Sequence, residues 1–167
     1  MMEFLSYLEH LRFSMWVLQT QAYAYILTAH TIGMGIVAGV AAVINLRLLG
    51  VSPAIPIRPL EKLYPLMWTG FWVNAVTGTT LMIADATTKL TNYDFYIKMV
   101  FVFSGVALIV IMRKKIFRDP NLDIGPVPGN VKRLAWLSLF CWAAAITAGR
   151  LLAYLGPVSG VPGLSNQ

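Results

Sequence analysis

The strongest constraint on this chain is a set of apolar runs too long for a water-soluble core. Ala22 to Ile44 contains no Lys, Arg, Asp or Glu, and neither does Tyr64 to Ala84. Tyr93 to Met112 holds Lys98 within its apolar run, and Leu134 to Leu155 holds only Arg150. A helix of roughly 20 residues crosses about 30 Å of hydrocarbon, so each run has the length of one crossing. Only 12% of the 167 residues are charged and 57% are hydrophobic, against about 25% charged in a soluble domain. The pattern predicts an all-α integral membrane protein. Its four transmembrane helices, about 22–45, 64–84, 93–112 and 134–155, form an antiparallel bundle in a membrane domain spanning 22–158.

The connections suit that reading. Gly50 to Pro59 carries three prolines, and Asp119 to Gly129 is rich in turn residues, so neither stretch continues a helix. Residues 1–21 read as one interfacial amphipathic helix, with Phe4, Leu8, Leu11 and Met15 on one stripe and Glu3, Ser6, His10 and Ser14 on another. This segment lacks the basic start and cleavage pattern of a signal peptide. Residues 159–167 read as a flexible tail. The one cysteine, Cys141, excludes an internal disulfide, a Cys-rich metal site and a Cys-x-x-Cys-His haem attachment.

A net charge of +6 would suit nucleic acid if the basic residues clustered on a soluble face, but they do not. Arg47, Arg58 and Lys62 lie in the first loop; Arg113, Lys114, Lys115, Arg118, Lys132 and Arg133 lie in the third. The N-terminal segment and second loop hold only Arg12 and Lys89. Nine against two follows the positive-inside rule and places both termini outside, periplasmic if the membrane is a bacterial inner membrane. The charge is thus a topology signal, and no nucleic-acid partner is expected.

In an antiparallel four-span bundle, the starts of spans one and three share a side with the ends of spans two and four. His30 then sits eight residues into span one, Lys98 five into span three, Arg150 five from the end of span four, and Asp85 just beyond span two. At 1.5 Å per residue the first three lie about 7–12 Å from the outer boundary. Ionisable groups within a membrane mark functional sites by default, and His30 is the only histidine inside a span. Singly, each has a plainer role: Lys98 and Arg150 as snorkelling anchors, Asp85 as a partner of Lys89, His30 as donor to a neighbouring carbonyl.

Haem b suits this layer. It needs an imidazole for iron, an apolar slot, small residues that let helices approach, and cations for its propionates. His30 is the candidate iron ligand, with Gly33 and Met34 beside it, Trp72, Trp68 and Tyr23 lining the slot, and Lys98 and Arg150 at the carboxylates. Lys98, Met34, His10 or a residue of a second subunit are alternatives for the other axial position, as is an open one. Span two also carries Gly70, Asn74 and Gly78 spaced four apart, and span one carries Gly35-x-x-x-Gly39, equally the ordinary packing pattern of membrane helices. Copper fits less well, because the eight methionines are dispersed.

The segment Ala29-His30-Thr-Ile-Gly33-Met-Gly-Ile-Val-Ala-Gly39, followed by Asn45-Leu-Arg-Leu-Leu-Gly50, resembles a bacterial family of small four-helix inner-membrane proteins. Further matches are Gly70-Phe71, Thr77-Gly78, Phe95-Tyr-Ile-Lys98 and Trp142 through Gly149-Arg150, covering nearly the whole chain. Asn45 stands where that family has aspartate. A more distant similarity, through His30 and Lys98, is to haem-containing membrane protoporphyrinogen oxidases and copper-resistance D-type domains. That resemblance implies haem b binding and redox chemistry. The oxidase family's closing Asn-Glu-x-Pro signature is missing, so its activity is not carried over.

The expectation is therefore a b-type haem protein at the outer side of the membrane, passing electrons to a partner such as quinone or serving as a redox subunit of a larger assembly. The rival expectation is a cofactor-free structural or assembly subunit, contacting other membrane subunits or a second copy of itself. A small transporter ranks last, because repeated halves and broken helices are not evident.

Overall fold

A computed structural model describes residues 2–118 and 125–154, with side chains described to residue 151. The described residues are helical: α1 (Met2–Glu9), α2 (Arg12–Gln19), α3 (Ala22–Leu48), a 3-10 segment (Arg58–Leu63), α4 (Tyr64–Ala84), α5 (Ala86–Leu90), α6 (Tyr93–Ile116) and α7 (Gly129–Tyr154). The expected tail, 159–167, and the loop residues 119–124 lie outside the described residues.

Among the described residues, three helices are long and apolar enough to cross a membrane: Ala22–Leu48, Tyr93–Ile116 and Gly129–Leu151. The expected second span is a continuous helix of 21 residues without a charged side chain. It falls outside that set because Asn74, four threonines and two tryptophans dilute its aliphatic content. The helices also run past the expected span limits, α3 to Leu48 and α6 to Ile116. Arg47, Arg113, Lys114 and Lys115 thereby fall in last turns, where cations interact favourably with the helix dipole.

The long helices pack as two antiparallel hairpins. In the first, α3 meets α4 through Gly33 against Gly70 and Asn74, and through His30 against Gly78. In the second, α6 meets α7 through Gly105 against Trp142 and Lys98 against Gly149. The glycines permit this, since a Cβ at Gly33 would lie 2.8 Å from the Gly70 carbonyl oxygen and one at Gly105 would lie 2.9 Å from the Trp142 indole. The hairpins join along α3 and α7, where the buried amide of Asn45 donates to the buried Ser138 hydroxyl at 2.9 Å.

The shared core fills the half of the bundle nearer the basic loops. Val37, Ala41, Ile44 and Leu48 of α3 meet Met67 of α4, Ile109 and Met112 of α6, and Ala135 and Trp142 of α7. Tyr64 and Phe117 close it with an edge-to-face contact, centroids 5.4 Å apart. Outward positions are apolar as well: Trp72, Val76, Val100, Phe103, Trp136 and Phe140 are each at least 60% exposed. Exposed apolar side chains in this number are matched by lipid rather than water.

The N-terminal segment departs from expectation. It is two helices, broken at His10–Leu11, where Leu11 adopts an extended backbone and the Ser14 hydroxyl donates to the Leu8 carbonyl at 2.6 Å. The side chains turned inward are Leu5, Ser14 and Val17, while Phe4 and Met15 of the expected stripe are exposed. A stripe counted at one uninterrupted period crosses the break and loses phase there. The Glu9 carboxylate accepts from the Thr87 backbone N–H at 2.7 Å and from its hydroxyl, tying α1 to α5. In the first loop Gly50 takes φ +101°, and Arg47 secures the turn by donating to the carbonyls of Ile55 and Pro53.

Candidate functional site

His30 lies on the α3 stripe that faces α4, one helical turn before buried Gly33. Its Nδ1 is 3.0 Å from the Asn74 carbonyl oxygen and 3.2 Å from the Thr77 hydroxyl. A carbonyl oxygen only accepts, so Nδ1 carries the ring proton; the Thr77 hydroxyl donates to the Val73 carbonyl at 2.6 Å. The neutral imidazole then presents Nε2 as its basic nitrogen. The Asn74 amide returns the link, donating to the His30 carbonyl at 2.8 Å; its 3.5 Å separation from Nε2 is too long to satisfy that atom. Gly78 lies against the ring, with a Cβ there only 2.8 Å from Cε1.

Lys98 approaches from α6. Its aliphatic chain lies along Gly149 of α7, with Cε and Cδ at 3.5 and 3.6 Å from where a Cβ would stand. Its charge is near enough to act on His30, and that of Lys89 is near enough to act on it. Lys89 is paired with Asp85 at 3.3 Å, the plainer role expected for that aspartate. Among the described residues, Lys98 has no carboxylate within ion-pair distance. The cluster therefore combines a basic imidazole nitrogen with an ammonium lacking a counter-ion.

Other expected members stand elsewhere. Gly33 is covered by α4, so its missing side chain admits a helix backbone rather than a ring. Met34 is half-buried and packs against the apolar core. Trp72 is 62% exposed on the outer face of α4, beside Phe71, and does not line a slot inside the chain. Trp68 lies deeper, with Val37, Met67, Phe71, Val106 and Ile109. Arg150 is exposed, because Gly149 takes the face toward Lys98 and the next residue is rotated about 100° away. Tyr23 is half-buried in the first turn of α3. His10 donates to the Ser6 carbonyl at 2.7 Å on the surface of α1.

Asn74 and Thr77 are the members whose place here the sequence did not disclose. A depth match was the available signal: Asn74 stands ten residues from the end of its apolar run and His30 eight from the start of the preceding one. Antiparallel neighbours at those depths meet. The donor set is one imidazole with its second nitrogen fixed by a carbonyl, the usual support for a metal-bound histidine, and one ammonium suited to a carboxylate. Both fit haem b. The slot residues do not assemble within the chain, since Trp72 and Arg150 face outward and Gly33 is covered by α4. Among the described residues no three His, Cys, Asp or Glu side chains converge on a common point, a statement about multi-ligand sites that leaves single-histidine ligation open. No family model, curated protein or solved structure matches the chain.

Proposed function

We propose that this chain is a b-type haem protein of a bacterial inner membrane, working in electron transfer at the outer side of the bilayer, alone or as the redox subunit of a larger complex. The observation that carries the reading is the His30–Asn74 bond, which holds the proton on Nδ1 and leaves Nε2 free to bind iron. Haem, when bound, supplies one-electron chemistry. The chain's own part is to orient the imidazole through Asn74 and Thr77, and to place the Lys98 ammonium where a propionate or a substrate carboxylate can neutralise it. The resemblance carried by His30 and Lys98 points the same way.

In this reading α4 is a fourth crossing and both termini lie outside. Three features support it. The helix has no charge over 21 residues; it runs antiparallel along α3; and its outward Leu66, Trp72, Val73 and Val76 are exposed apolar residues that need lipid beside them. A helix with Asn and Thr on its inner face can cross when partner helices satisfy them.

A second reading, a cofactor-free assembly subunit, is favoured by one observation: Gly33 and Gly78 bring α4 directly onto α3 and His30, so the same bonds serve as an inter-helix clamp. Absorption spectra of detergent-purified protein from haem-replete cells separate the two. Haem binding gives a Soret band and a reduced-minus-oxidised α band, both lost in His30→Ala. A colourless, folded wild type that co-purifies with a large complex, and a His30→Ala variant that still joins that complex, establish the clamp instead.

A further inference from the structure

The N-terminal helices carry more apolar surface than the bundle covers. Leu5, Ser14 and Val17 turn inward, while Phe4 and Tyr7 of α1 and Phe13, Trp16 and Leu18 of α2 remain 46–64% exposed. We infer that α1 and α2 lie in the interfacial zone of the lipid leaflet at the end of the bundle where α3 and α6 begin. Phe4, Phe13 and Leu18 enter the acyl boundary, and Glu3, Arg12 and Gln19 stay in water.

Two attachments fix the depth. Thr20 and Gln21 alone separate α2 from α3, and Thr91 and Asn92 alone separate α5 from α6. Both α3 and α6 are long and apolar enough to cross a membrane. They start at the same end, because His30 lies near Lys98 and, farther along both helices, Val37 lines one crevice with Val106 and Ile109. The Glu9 carboxylate ties α1 to Thr87 of α5. The segment is therefore held at one end by the start of α3 and at the other by the turn that leads into α6, where both helices enter hydrocarbon.

The distribution of side chains around each helix matches a boundary between two phases. At about 100° per residue, Arg12, Trp16 and Gln19 share the side of α2 opposite buried Ser14 and Val17, and Phe13 and Leu18 flank them. In α1, Glu3 and Tyr7 stand opposite Leu5 and Glu9, with Phe4 on a flank. Water alone would be a poor neighbour for the flanks, and hydrocarbon alone for the polar side. A helix lying in the interface meets both.

The same level carries an aromatic belt. Tyr25 in the first turn of α3 is 71% exposed, and Tyr93 and Tyr96 in the first turn of α6 are 84% and 52% exposed. Tyrosine and tryptophan collect at membrane–water boundaries, where the ring is buried in lipid and the polar atom stays wet. Tyr7 and Trp16 continue that belt, which favours lipid over a protein partner. With Glu3, Glu9 and Arg12 as their charged residues, α1 and α2 have no basic cluster, so the seat is apolar and needs no anionic lipid. This inference uses α3 and α6 as crossings and does not depend on haem.

The test places a nitroxide at single cysteines in the full-length protein, using Phe4→Cys, Phe13→Cys, Leu18→Cys and Gln19→Cys reconstituted in phosphatidylcholine vesicles. All four side chains are exposed, so the substitutions leave the packing intact. Cys141 is buried, and wild type treated alike gives its background. Power saturation compares collisions with oxygen, which partitions into lipid, and with a nickel chelate, which stays in water. Labels at Phe4, Phe13 and Leu18 are expected to meet oxygen more and nickel less than the label at Gln19. Nickel collisions equal at all four sites put the segment in water and overturn the proposal. Protection of the three apolar sites from both reagents assigns them to a protein partner, and spin–spin broadening that vanishes on dilution with unlabelled protein assigns them to a second copy; either result also overturns it.

Discussion

The two halves of the helix bundle solve different problems. The half near the basic loops is an apolar interlock of Val37, Ile44, Leu48, Met67, Ile109 and Met112, with Asn45–Ser138 as a closed polar pair inside it. The other half carries His30, Asn74, Thr77, Lys98, Lys89 and Asp85. Buried polar pairs such as Asn45–Ser138 satisfy each other and stop there. Satisfaction differs between the two: among the described residues Nε2 of His30 has only the Asn74 amide at 3.5 Å and the Lys98 ammonium has no carboxylate within ion-pair distance, while in the core the buried Trp142 indole N–H is without a hydrogen-bond partner. Ionisable groups on apolar helices are functional-site candidates by default, and His30 and Lys98 are such groups.

The comparison can be broken by filling the seam. Gly33→Leu should destabilise most, by about 3 kcal/mol, because the obstructing atoms belong to the α4 backbone and cannot rotate aside. Thermal unfolding in detergent reads this, with Gly35→Leu as the contrast, since nothing lies within 4 Å of a Cβ there and little change is expected. Equal effects at both positions would mean that α3 and α4 do not meet as described.

Gly78→Ala comes next, at about 1–2 kcal/mol, because the obstructing atom is a side-chain carbon of His30 and the imidazole can move. The cost of that movement is the bond to Asn74. Imidazole ¹⁵N NMR should therefore find the Nδ1–H tautomer dominant in the unligated wild type and mixed in Gly78→Ala. An Nε2–H tautomer in wild type would contradict the site geometry.

Asn45→Leu should cost about 1 kcal/mol, within the range of inter-helix hydrogen bonds in membranes, without any effect on the His30 cluster. The smallest effect belongs to Lys89→Ala. It breaks an ion pair one turn apart on α5 and its cap, at 23% and 26% side-chain exposure, worth below about 1 kcal/mol. Both are read by the same unfolding transition.

Much of the fold was legible because charges are sparse and their gaps mark the helices. Where the expectations departed, the missing information was angular or local. Depth along a helix placed Lys98 and Arg150 in one layer, but depth carries no azimuth: Gly149 faces Lys98, and Arg150 points away. The pairing of His30 with Asn74 depends on the register between α3 and α4, which the loop around Gly50 and Arg47 sets. The break between α1 and α2 carries neither glycine nor proline; a serine hydroxyl and an extended leucine make it. Asn45 is buried at 1% exposure against Ser138, a place where a neutral amide avoids the desolvation that a carboxylate would suffer.

Haem content per chain, measured by pyridine haemochrome on wild type, Asn45→Leu and His30→Ala purified from haem-replete cells, tests the difference between the halves most directly. The account predicts close to equal haem in wild type and Asn45→Leu and none in a folded His30→Ala. Haem-free wild type, or haem lost to the same extent in both variants, would contradict it.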